Sequence, residues 1–159
     1  MKKVVSILLP MVAVILVLVG CGKSSMMGEK KTVSEVDRLL TEKGQQFQLD
    51  YMHFEVKTPN HITATDTTNG YKNYLSFEKI DTTNDKRYAI YKIQSTGNGP
   101  YKFLDGKTAA LIKRNKNKNS VLTICIGNKK KLTTKRIDRN IQKNQNVQGG
   151  STYDLKIQK

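Results

Sequence analysis

Histidine, cysteine and proline are almost missing from this chain: of 159 residues, two are His, two are Cys and three are Pro. These scarcities exclude several chemistries before any motif is sought. His53 and His61 have no Cys/His cluster or close carboxylate set at the spacing metal ligation requires, so no zinc or other metal is expected. Cys125 has no histidine near it in sequence to serve as its base. Its surroundings, Val121-Leu122-Thr123-Ile124-Cys125-Ile126, read as an apolar strand, where a free cysteine behaves as a small buried hydrophobe. Asp50, Glu55, Asp66, Asp81 and Asp85 are scattered among loops and strand ends, with no pairing that divides acid from base. Gly97-Asn98-Gly99-Pro100 reads as a turn rather than a phosphate loop opening a helix. No enzyme and no cofactor are expected on these grounds. Long apolar runs are scarce as well. The only one, Val4 to Val19, is sixteen residues and contains Ser6 and Pro10, short of the roughly 20 apolar residues that span a bilayer.

That run is better read as a targeting segment. Lys2 and Lys3 precede it, and Leu18-Val19-Gly20-Cys21 closes it with small residues and a thiol, the order of charged region, hydrophobic region and cleavage site. Leu18 to Cys21 resembles the lipobox of bacterial lipoproteins. The resemblance implies that residues 1–20 are a signal peptide. It also makes Cys21 the mature N-terminus, with S-diacylglycerol (palmitate-type chains) on its sulfur and N-terminal acylation as a further modification. Two acyl chains anchor stably where one is marginal, since each buried methylene contributes about 0.8 kcal/mol. The expected location is the extracytoplasmic face of the cell membrane. With Cys21 lipidated, Cys125 has no disulfide partner.

Charge is distributed unevenly. Residues 21–106 carry 12 basic and 11 acidic side chains, whereas residues 107–159 carry 14 and 2, an excess of +1 against +12. Such asymmetry speaks about partners rather than fold. The basic set is Lys113, Arg114, Lys116, Lys118, Lys129, Lys130, Lys131, Lys135, Arg136, Arg139 and Lys143. It reads either as a solubilising surface or as a patch for an anionic envelope polymer, lipid headgroups or a protein. Nucleic acid is the least fitting partner, because export places the domain outside and few aromatics interleave the basic run to stack bases.

Residues 21–30 are small and polar enough for a flexible tether, leaving 31–159 as one domain. Thr32 and Glu35 have capping-box spacing, and Val33, Val36, Leu39, Leu40 and Phe47 recur on one helical face, predicting a helix over 33–48 with Gly44 as a weak point. Beyond it, β-branched and aromatic runs separated by Asn, Asp, Gly and Thr predict only strands. These fall near 51–57, 61–66, 71–80, 87–95, 108–114, 120–127 and 153–158. Alternation such as Leu75/Phe77 and Leu122/Ile124/Ile126 gives one apolar sheet face. The expected class is therefore α+β, an N-terminal helix packed on a curved antiparallel sheet.

This element order, following the lipobox, resembles the cystatin-like fold of small Gram-positive lipoproteins, some carried on mobile elements. The resemblance implies a non-enzymatic binding or assembly module, accessory to a conjugative or mobile-element system. An alternative comes from Gln145-Asn146-Val147-Gln148-Gly149, similar to the Gln-x-Val-x-Gly loop with which cystatins enter cysteine-protease clefts. It implies a protease inhibitor, although the segment lies later in the chain than in cystatins.

Overall fold

The computed structural model describes residues 24–143 and 152–159, with side chains from residue 33 onward. Within these the chain forms α1 (Ser24–Thr41), β1 (Gln46–Leu49), β2 (Met52–Thr58), β3 (His61–Asp66), β4 (Lys72–Thr82) and β5 (Ala89–Gly97). A short 3-10 helix (Pro100–Leu104), β6 (Thr108–Lys116), β7 (Asn119–Gly127), a second 3-10 turn (Lys129–Lys131), α2 (Thr134–Lys143) and β8 (Thr152–Ile157) follow.

Each strand pairs antiparallel with the next, and β8 returns to β1, so the eight strands close into a barrel. The closing seam is short: Phe47 faces Ile157, Gln48 faces Lys156, and the Gln158 amide donates to the Gln46 carbonyl at 3.0 Å. Closure gives every strand of the barrel two neighbours, so the sheet has no free edge strand. This overturns the α+β, helix-on-curved-sheet, cystatin-like expectation. The predicted alternation is real, but the apolar face is covered by the sheet curling onto itself. Phe47, Phe54, Leu75, Tyr91, Leu111, Leu122 and Leu155 meet inside in one buried cluster, consistent with an eight-strand barrel being just wide enough for side chains to fill.

Two local readings account for the difference. The predicted helix stops at Thr41 rather than 48, and Gly44 takes a left-handed φ of 87°, accessible to glycine without the Cβ penalty. Residues 46–49 then become β1, whose Phe47 fits a helical stripe and an inward strand position equally well. At its other end α1 reaches back to Ser24, so residues 24–30, assigned above to a tether, are helical, and Thr32 lies inside the helix rather than capping it.

α1 acts as a plug. Val36, Leu39 and Leu40 join the interior cluster, and the Asn60 amide of the β2–β3 turn donates to the Leu40 carbonyl at 2.7 Å. The Tyr91 hydroxyl donates to Asp37 at 2.7 Å; burial first, and then this carboxylate, push the phenol well above its ordinary value. The 3-10 helix between β5 and β6 covers the opposite end, placing Leu104 inside and the Tyr101 ring 5.3 Å from Phe54. Fully buried Asn73 holds it there: its side-chain oxygen accepts from the Tyr101 amide at 2.9 Å.

α2 is the second departure from the strands-only reading. It lies outside the barrel over a separate cluster of Tyr88, Ile90, Ala110, Ile112 and Cys125, contributing Ile137 and Ile141. β5, β6 and β7 are thus apolar on both faces here, which explains why Ala89-Ile90-Tyr91 and Val121 to Ile126 read as nearly continuous apolar runs.

Candidate binding surface

The predicted basic residues divide into two populations once the strands are in register. Lys113 leaves the barrel end toward α1 and pairs with Glu35 at 3.3 Å. Arg114 and Lys116 point outward from β6 and converge on Asp154 of β8. Arg114 donates to both carboxylate oxygens at 2.8 and 2.9 Å, Lys116 to one at 2.6 Å, and the Thr123 hydroxyl to the other at 2.6 Å. Burial alone raises the Asp154 carboxyl, but the bonds from Lys116, Thr123 and Arg114 outweigh it and hold the group below the ordinary carboxylate range. The side chain is 14% exposed, so this cluster is a clamp across three strands. It is not a free anion site. Lys118 sits at the β6–β7 hairpin tip, where Asn117 and Lys118 both have positive φ (48° and 65°), the backbone of a type I′ turn.

The clamp makes a prediction. Asp154→Asn leaves Arg114 and Lys116 side by side without their carboxylate and is expected to cost about 2 kcal/mol at neutral pH. Because the folded carboxyl titrates below its unfolded value of about 3.9, the stability it contributes is fully present above that value. It is lost as pH falls through the folded value. Chemical denaturation at pH 7 and at successively lower pH checks both halves: wild type and variant should differ at pH 7 and converge once the wild-type carboxyl is protonated.

The second population lies between β7 and β8. Lys129 pairs with Asp81 at 3.0 Å, and that bond holds the Asp81 carboxyl below its usual range. Lys130, Lys131, Lys135, Arg136, Arg139 and Lys143 are exposed and have no carboxylate within ion-pair distance among the described residues. α2 organises four of them. Its inner face is pinned by Ile137, fully buried, and by Asp138, which accepts from the Tyr88 hydroxyl at 2.6 Å and from Arg87 at 3.1 Å. The Thr134 hydroxyl adds a bond to Asp85 at 2.6 Å. At 3.6 residues per turn, positions 135, 136, 139 and 143 then fall on the opposite, solvent face.

No known family, curated protein or solved structure matches the chain. The surface must be read from its own chemistry. Residues 128–143 carry seven basic side chains and one acidic, and the acidic one, Asp138, is engaged by Tyr88 and Arg87 while its side chain stays 34% exposed. A surface cleft of about 620 Å³ beside α2 is lined by Asp81 and Asp85 as well as Lys129, Lys130 and Lys135. Its mixed signs suit it less to an anion than the open helix face does.

The remaining sequence candidates are placed as follows. Cys125 is fully buried, 3.7 Å from the Thr152 hydroxyl, and burial pushes its thiol up to about 11, which keeps it protonated and unreactive at neutral pH. His53 is half-buried in β2 opposite Thr65, and His61 is exposed with its ring 2.9 Å from the Pro59 carbonyl. No group of three or more metal-ligating side chains gathers among the described residues, and no described helix is long and apolar enough to cross a membrane. Cys21 and Gln145–Gly149 lie outside the described residues. α2 was legible in principle: Ile137 and Ile141 fall at i and i+4 behind Thr133 and Thr134, but the density of lysines and arginines hides so narrow a stripe.

Proposed function

We propose that this chain is a lipid-anchored, extracytoplasmic binding module, held to the membrane through Cys21 and presenting the basic α2 face to an anionic envelope partner. The observation that carries the anchor is the segment Lys2 to Cys21, with its charged start, sixteen-residue apolar run and Leu-Val-Gly-Cys ending. Two features support a binding role. The barrel interior is filled by side chains, which supports recognition on the outer surface rather than inside. Lys130, Lys131, Lys135, Arg136, Arg139 and Lys143 are exposed cations with no carboxylate within ion-pair distance among the described residues. The cystatin-like fold does not hold, so a conjugative or mobile-element role no longer has the fold as support.

Intact mass and phase partitioning of the expressed protein test this. The wild type is expected to begin at Cys21, to carry diacylglycerol and to partition with membranes, whereas Cys21→Ala remains uncleaved and unlipidated. An unmodified, uncleaved chain in both cases would overturn the reading.

A further inference from the structure

The cations of α2 form a line, and a line selects among anionic partners. Lys135, Arg139 and Lys143 follow at i, i+4 and i+8, so successive charges lie about 6 Å apart along the axis at 1.5 Å per residue. Arg136 flanks this row, and Lys130 and Lys131 belong to the 3-10 turn before it. Among the described residues the face carries no exposed large hydrophobic: those are Tyr51, Tyr71, Tyr74 and Phe103, none of them within 128–143, and the apolar side of α2 packs against the barrel. A helix that binds a bilayer ordinarily buries its apolar face in the headgroup region, which α2 cannot do while packed. Without an aromatic on the face, base stacking is also missing.

We infer that the Lys135–Arg139–Lys143 row binds a linear phosphodiester polymer with one phosphate per short repeat, of the glycerol-phosphate kind. Three backbone bonds of an extended chain span at most about 3.6 Å, so a six-bond glycerol-phosphate repeat spans about 7 Å, close to the spacing of the row. Lysine-rich, unpaired side chains suit such a partner, because each ammonium is a mobile point charge that follows a flexible polyanion without demanding fork geometry. The inference rests on the proposed extracytoplasmic placement, since that is where an envelope polymer meets the domain.

The test uses the full lipidated protein in phosphatidylcholine nanodiscs, titrated with fluorescent poly(glycerol phosphate) and, separately, mixed with phosphatidylglycerol vesicles. Two variants of equal net charge are compared: Lys135→Gln/Arg139→Gln/Lys143→Gln on the row, and Lys43→Gln/Lys72→Gln/Lys102→Gln at exposed positions elsewhere. Wild type is expected to bind the polymer with an affinity that falls as salt rises. The row variant should lose about tenfold and flatten the salt dependence by two to three charges, while the control stays within about twofold. Equal losses in both variants, or none in the row variant at unchanged circular dichroism, would overturn the row as the site. Capture by the vesicles alone would overturn the polymer as partner while leaving an anionic-surface role standing. Binding to neither probe would remove both.

Discussion

Replacing Phe54 by Ala is expected to lower the unfolding free energy by about 4 kcal/mol. Phe54 is 2% exposed on the inward face of β2, part of the one cluster that fills the barrel. Its ring also begins an aromatic chain: Tyr101 stands 5.3 Å away, Phe103 another 6.0 Å on, and Tyr153 of β8 6.0 Å beyond that. Truncation removes the transfer free energy of a benzyl group and leaves a cavity whose walls belong to a closed sheet. The walls of a closed barrel collapse little into the space left, so the cost falls well inside the usual range of about 3–5 kcal/mol for Phe→Ala. The 3-10 helix that Tyr101 holds over the barrel end loses its apolar footing in the same step. Urea denaturation checks this: the midpoint should fall with the slope unchanged. A loss under about 1 kcal/mol would mean that the interior is not packed as described.

Gly97→Ala is expected to cost at least about 3 kcal/mol, for a reason that lies in the backbone. Gly97 ends β5 with a φ of 102°, a region that side-chain-bearing residues rarely adopt. A Cβ built there would also overlap the carbonyl oxygen of Lys72 across the β4–β5 ladder. That carbonyl cannot easily retreat, because it accepts from the amides of Asn98 and Gly99 at 3.0 and 3.1 Å. Gly70 is the matched control. Its φ is 77°, but nothing lies within 4 Å of its added Cβ, so Gly70→Ala should cost only the 1–2 kcal/mol of the left-handed conformation. Thermal unfolding of the two variants side by side separates crowding from conformation. Equal losses would show that the close approach of Lys72 contributes nothing.

Both predictions concern long-range closeness, and the division between what was legible and what was not follows the same line. Strand positions were readable because alternation and turn residues act over a few residues: seven of the strands fall within a few residues of where the pattern puts them. The β6–β7 connection was readable for the same reason, as the gap between the strands expected near 108–114 and 120–127. Asp154 gave no signal, because Arg114, Thr123 and Asp154 are scattered along the chain and meet only through the pairing of β6, β7 and β8. The basic set looked like one patch in sequence. Register divided it, pairing Lys113, Arg114, Lys116 and Lys129 with Glu35, Asp154 and Asp81 and leaving Lys130, Lys131, Lys135, Arg136, Arg139 and Lys143 without a carboxylate partner among the described residues.

By itself the sequence determined the local period of nearly every strand and the excess of cations near the C-terminus. Each is a property of neighbours or of totals, and neighbours and totals are written along the chain. Tertiary structure alone decided that the sheet closes, that α1 plugs it rather than covering it, and which cations stay unpaired. An apolar strand face records that it must be buried and not what buries it. A helix and the far wall of a barrel satisfy that demand equally well until the two-residue seam between β1 and β8 settles the matter.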